Sequence, residues 1–483
     1  MTTVLLRGAR IVGDGREVDV AIVDGRVAAG GNAQETPPGG DVIDLGGRWL
    51  MPGLWDAHVH FTQWSRHLGR VDLSGARSAA QAAATLLAHL PGSGGDASQG
   101  PVVGRGFQDA LWPDAPTAEL LRASSPVVAL SHDLHCVWLN DAAARLLGAP
   151  SAGLLREADA FAAEMALDRA MGGVEDLVDM AAAGAASLGV VGIRDLELAD
   201  NVPDWQHRLA RGLDLLRVEA CIYPEHLAAS DSRGLRGGAT APGTNGLVTV
   251  GGLKVFTDGA LNTRTALTHE PYGTAAGEWG TGHAAHDEDQ LRYLFAAAHE
   301  RGLEVAAHAI GDLAVTRALD AFEATGAGGT IEHAQLVRAV DVPRFAALGI
   351  SASVQPQHAI DDRDVADAVW PDRSARAFPY RTLFDAGARL LLGSDAPVAP
   401  LDPWVTLAAA VSRTDDDRAP WHPEQEISRE AAIAASTRGR VSPGEPADLI
   451  AVERDPLTAS PSELRTMAVA LTLLGGRVTH AAL

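Results

Sequence analysis

"GGLKVFTDGA", residues 251–260, is a short apolar run that stops at polar residues, and it holds Lys254, the only lysine in the chain. The other 38 basic residues are arginine. Seven more runs share its form: GLWDAHVH, LGVVGIRDLE, LRVEACIY, LEVAAHAIGD, GTIEHAQ, GISASVQPQH and RLLLGSDAP. Ala-rich, helix-favouring stretches separate them. Near-continuous apolar strands alternating with helices specify a parallel sheet covered on both faces. Eight of them predict an α/β fold, a (β/α)8 TIM barrel, with its site at the C-terminal strand ends.

The ends of the chain have another texture. TVLLRGARIV, VDVAIVDGRVAAG and DVIDLGGRWLM are strand-like segments broken by turn signals such as GDG. ADLIAVERDP and AVALTLLGGRVTH near the C-terminus look alike. Residues 1–52 and 436–483 are therefore expected to build one small β-sandwich, leaving 53–435 for the barrel. Between the first and second runs lies far more chain than a βα connection needs. Residues of about 65–180 read as an insertion with strands PVVGRGF and SPVVALSHD and helices NDAAARLLG and VEDLVDMAAAGAASLG. PGSGGDASQG (91–100) reads as a flexible loop.

Composition removes some functions. A formal charge of −23 repels phosphate backbones, so nucleic acid is not an expected partner. No run reaches the roughly 18–20 apolar residues of a membrane span. The N-terminal segment alternates like strands rather than a signal peptide. Two cysteines, Cys136 and Cys221, make no disulfide framework and suit a reducing cytoplasm.

The polar residues on the eight runs fall at their ends. His58 and His60 are two apart, which puts both on one side of a strand. Lys254, His308, His333 and Asp395 end runs four, five, six and eight. A barrel would gather all six on one rim. Imidazole and carboxylate are ligands that zinc and similar divalent ions favour. Lysine on such a rim suits a Schiff base, or carbamylation that turns the amine into a bridging anion. A guanidinium does neither, because it does not deprotonate. A Schiff-base site has no use for four histidines and an aspartate, whereas a bridged metal pair uses them all.

MPGLWDAHVHF, GLKVFTDGALNTRTA, AHAIGD, IEHAQ, SVQPQH and LLGSDAPV, in this order and spacing, resemble the amidohydrolase superfamily. Within it the chain is similar to the amidohydrolase family 3 branch, which includes an N-substituted formamide deformylase. The resemblance runs nearly end to end. It implies that His58, His60 and Asp395 bind one divalent ion, zinc by preference, and that His308 and His333 bind a second. Lys254, N6-carboxylated, would bridge the two. Water held between the ions would be the nucleophile, and Asp395 would shuttle its proton to the leaving amine. The implied activity is hydrolysis of a C–N bond, amide or N-formyl, in a small molecule. The runner-up is a mononuclear superfamily hydrolase of another class, a deaminase or a lactone or carbamate hydrolase. By analogy the chain would form a homodimer.

The substrate contacts expected beside the metal ligands are Asp109, Trp112 and His135 from the insertion, Asp258 and Arg264 after run four, and Gln355 and His358 at run seven. The chain departs from the family pattern at Leu134, where a glycine is common.

Overall fold

The computed structural model describes residues 3–28, 40–90, 100–274 and 277–483. The loop expected at 91–100 lies, but for its last residue, outside them.

All eight runs form strands. They are Leu54–Val59, Val190–Asp195, Arg217–Ile222, Val248–Phe256, Val305–Ala309, Gly329–His333, Ser351–Val354 and Leu390–Leu392. Each pairs in parallel with the next, in sequence order. A parallel bridge from Val59 to Ala396 closes the ring, and the Asp395 amide donates to the His58 carbonyl at 2.7 Å. Gly393 makes this closure possible, since a Cβ there would lie 2.6 Å from the His58 amide nitrogen. The fold is a TIM barrel.

The helices between the strands follow from apolar spacing. In Glu288–Glu300 the buried residues are Leu291, Leu294, Phe295, Ala297 and Ala298, one stripe at helical period. A capping box between Asp287 and Gln290 starts this helix. Burying each large side chain of the stripe contributes about 1.5–3 kcal/mol.

Strands from both ends of the chain join in one eight-stranded sheet. Trp49–Pro52 pairs with Leu449–Val452, and Thr3–Ile11 with Glu17–Val23. The sheet encloses its own apolar cluster, which includes Leu6, Ile22, Leu50, Leu449, Leu471 and Leu473. Only Gly53 separates this sheet from the first barrel strand, and its amide donates to Asp448 at 2.9 Å.

A third sheet of five strands, Val71–Asp72 to Gly153–Arg156, follows the first barrel strand. It contains the expected strands as Val102–Phe107 and Val127–Ser131, and NDAAARLLG gives the helix Asp141–Leu147. One assignment changes. Helix Glu175–Ser187, read from sequence as part of the insertion, buries Val178, Ala181, Ala182 and Ala185 in the same cluster as the barrel strands. It is a barrel helix, because its apolar stripe matches that core.

Candidate metal and active site

His58 is the last residue but one of the first barrel strand, and His60 opens the helix Phe61–His67 behind it. His308 lies in strand five and His333 ends strand six. Asp395 follows strand eight. All five are buried, as is Lys254, which is 1% exposed. The ligand atoms of His58, His60 and Asp395 lie within 4.8 Å of one another, and so do those of His333, His358 and Asp395. Asp395 Oδ1 is 3.3 Å from His58 Nε2 and 3.5 Å from His60 Nε2. The His308 and His333 rings are 4.6 Å apart between centroids. His333 and Asp395 both hold left-handed backbone, at φ 74° and 58°. Such conformations cost about 1–3 kcal/mol in non-glycine residues and persist where the surroundings impose them.

Three histidines have one ring nitrogen engaged from behind. His58 Nδ1 meets Glu332 Oε2 at 2.7 Å, His308 Nε2 meets the Gly259 carbonyl at 3.0 Å, and His333 Nδ1 meets Gln355 Oε1 at 2.9 Å. An acceptor on one nitrogen fixes the tautomer and leaves the other nitrogen as a lone-pair donor. Burial, with Lys254 next, pushes His58 down to about 4. Burial also holds His308 and His333 well below the usual imidazole range. These are neutral imidazoles, the form that ligates a metal.

Glu332 itself is 0% exposed. Burial raises its pKa, but His58 first, then Arg194 and Lys254, outweigh that and hold it at about 2. Its other oxygen takes Arg194 at 3.2 Å and the Thr330 hydroxyl. Arg194 meets Glu219 at 2.9 Å, and Glu219 meets Arg438 at 2.9 Å. The charge behind His58 is thus neutralised by a chain of ion pairs through the barrel. Asp56 accepts from the His58 amide at 3.0 Å and the Ser394 amide at 3.0 Å, tying strand one to strand eight.

Lys254 Nζ is 3.4 Å from His58 Nε2 and 5.3 Å from the Phe256 ring. No carboxylate among the described residues comes within ion-pair distance of it. Burial lowers its pKa, which favours the neutral amine, the nucleophilic form that can add to carbon dioxide. Asp395 goes the other way. Burial raises its pKa, but His58, the hydrogen bond from His60, His333 and His358 outweigh it and hold the carboxyl well below its usual range. Four imidazoles, one carboxylate and one buried amine without a carboxylate partner fit a pair of divalent ions in their donor chemistry. His358 is a further donor within reach of the second position, its ring stacked on His333 at 6.2 Å and 12°.

Residues 41–480 match the model of the Amidohydrolase family. The chain belongs to the amidohydrolase family. This amidohydrolase is 32% identical to YtcJ of Bacillus subtilis (strain 168) over 253 residues, 48% of this chain and 47% of that one. It is 27% identical to the N-substituted formamide deformylase of Arthrobacter pascens over 212 residues, 40% of this chain and 39% of that one. These two matches span less than half of either relative. The solved structure of an uncharacterized metal-dependent hydrolase from Pyrococcus horikoshii OT3 covers 95% of the amidohydrolase and 99% of its own chain, at TM-score 0.79 and 28% identity.

A cavity of about 680 Å³, its open mouth included, lies over the six residues. Of the substrate contacts expected from sequence, His135 and His358 line it. The other five of the amidohydrolase's expected contacts are not among its lining residues. Asp109 pairs with Arg156 at 3.3 Å. Trp112 packs on Phe107 in the insertion core and donates to the Ala76 carbonyl at 3.2 Å. Asp258 accepts from the amides of Leu267, Ile310 and Gly311, and its carboxylate sits 3.5 Å from His308. Arg264 donates to the Ala110 carbonyl at 3.0 Å. Gln355 holds His333 from behind.

Residues without a sequence-based expectation complete the lining: Gln63, Asp133, Leu134, Phe161, Glu164, Leu198, Phe256, Asn262, Gln335 and Asp362 among them. Phe161 and Glu164 come from the helix Glu157–Met171, one turn apart, so the insertion walls the cavity. Leu134 has φ 61°, a left-handed backbone that glycine adopts freely, which fits the glycine common at this position.

Proposed function

We propose that this amidohydrolase is a metal-dependent hydrolase of an amide or N-formyl C–N bond in a small molecule. One observation carries the proposal: four histidines, Asp395 and Lys254, whose amine meets His58 and no carboxylate, share one buried cluster under an open cavity. His58, His60 and Asp395 would hold one divalent ion, and His308 and His333 the second, with Lys254 carboxylated between them. The name of the Arthrobacter relative supports a formamide-type bond. When bound, the ions would supply Lewis-acid polarisation of the carbonyl and would bring the pKa of water toward neutrality.

The chain's own groups then have defined tasks. Asp395, held as a carboxylate, accepts the proton released as water adds to the carbonyl carbon. It returns that proton to the nitrogen as the C–N bond breaks, which makes the amine a better leaving group. Glu332, Gly259 and Gln355 keep three imidazoles in one tautomer and one orientation. Phe161 and Phe256, stacked at 5.8 Å, and Leu134 give the cavity an apolar wall that thins the water around the reacting bond. The buried, unpaired cysteines suit a reducing cytoplasm. Among the described residues no helix is long and apolar enough to cross a membrane.

The test is a panel of N-formyl and N-acyl amines with zinc-loaded and chelator-treated protein. Metal-dependent release of amine from at least one of them is expected. Metal-dependent turnover only of an aminopurine, a lactone or a carbamate, with one ion per chain, would replace this reading with the mononuclear one.

A further inference from the structure

We infer that Asn262 is a substrate-recognition residue, whose carboxamide pairs with a second amide-like edge of the substrate, one presenting N–H and C=O side by side. This rests on the proposed C–N hydrolase reading and names the class of substrate for it.

Asn262 sits in the loop after strand four and lines the cavity. It is 5% exposed, yet neither Nδ2 nor Oδ1 finds a hydrogen-bond partner. Native proteins satisfy nearly all such buried groups, and an orphaned donor and acceptor on one side chain call for a common ligand. Asn140, buried outside the cavity, shows the satisfied case: it uses its oxygen on Val127 and Ala143 and its nitrogen on Leu121 and Ser125.

The loop is held so that Asn262 stays in place. Thr263 and Thr265, which follow it, both donate to Glu157 Oε1, at 3.1 and 2.5 Å. Glu157 opens the insertion helix that also supplies Phe161 to the cavity. The clasp therefore fixes Asn262 relative to the apolar wall.

Two other carboxamides agree with this chemistry. Gln63 and Gln335 are each 3% exposed, line the same cavity, and have unpartnered Oε1 atoms. None of the three carries charge, so the group they suit is neutral. A carboxamide, lactam or ureido edge matches Asn262 with two antiparallel hydrogen bonds. A site built on buried hydrogen-bonding groups discriminates strongly against an analogue that leaves them unpaired.

The experiment uses matched probes and the zinc-loaded protein. The N-formyl derivatives of glycinamide, β-alaninamide and 4-aminobutanamide are compared with those of isobutylamine, isoamylamine and 4-methylpentylamine, in which an isopropyl group replaces the carboxamide at equal shape. At one chain length at least, wild type should favour the carboxamide in kcat/KM by tenfold or more. In Asn262→Leu, which keeps the volume, and in Asn262→Ala, the ratio should fall to about threefold or less. Melting curves check that each variant folds, and the second variant serves if the first does not. Calorimetric titration of the product amines should show the same preference and the same loss.

If formamides are cleaved but the ratio is near one in wild type, or persists in both variants, the role of Asn262 is overturned and the hydrolase reading stands. If no formamide is cleaved yet the carboxamide amine binds in an Asn262-dependent way, the recognition role stands and formamide cleavage fails. Neither turnover nor binding overturns both.

Discussion

Replacing Lys254 with arginine keeps a positive charge but removes the only lysine side-chain amine in the chain, a group that, unlike a guanidinium, can become neutral. In Lys254→Arg the turnover of a good substrate should fall more than about a hundredfold, and bound metal should fall below two ions per chain. Mass-spectrometric metal counts with steady-state kinetics check both, and near-wild-type turnover would refute the bridging role. Glu332 acts at the same scale. Glu332→Gln keeps the shape but weakens its hold on His58 Nδ1, so zinc affinity should drop about 10–100-fold in chelator competition. An unchanged affinity would mean that packing alone orients His58. Lys254 was legible in the sequence because an arginine-rich chain made it conspicuous. Glu332 was not, although it neighbours His333. Strand alternation separates it from that histidine, and only three-dimensional packing brings it onto His58 across the barrel. Asn262 was hidden for another reason: an unsatisfied carboxamide is visible only once its surroundings are known.

Strands were the most legible elements, since each carries a continuous apolar run ending in a polar residue, as in GTIEH at Gly329–His333. Helix Glu175–Ser187 was harder, because its Ala-rich stripe does not say which core receives it. Trp112 is expected from sequence among the substrate contacts, although a tryptophan in such a segment is more often core, and in the structure it packs on Phe107 instead. The insertion is also pinned to the barrel by an ion pair between His132 and Asp361, at 3.6 Å. Burial lowers the His132 pKa, but the Asp361 carboxylate beside it outweighs that and raises the ring from 6.5 to about 9. A raised folded-state pKa stabilises fully below the unfolded value and is lost as pH climbs through the folded one. Wild type should therefore exceed His132→Gln in urea stability by on the order of 2 kcal/mol near pH 6, with the gap closing by about pH 9.5. An equal gap at both pH values would show that His132 acts through packing alone.

At the scale of the molecule, the sheet built from both chain ends leads into the barrel across Gly53 and so bears on the strand that holds His58. Leu449 is 0% exposed in that sheet's core. Leu449→Ala should cost about 2–5 kcal/mol in urea unfolding, with activity lost in the same transition. Activity surviving an earlier transition of the terminal sheet would show the two units to be uncoupled. The pairing of the ends could be expected from their similar texture, whereas the ion-pair chain from Glu332 to Arg438 follows only from the closed barrel. The most direct measurement is a diffraction map of crystals grown with zinc and bicarbonate, with anomalous data at the zinc edge. The expected result is two zinc peaks, with carboxylate density on Lys254 Nζ between them. A bare Lys254 amine beside a single peak would contradict the bridged pair.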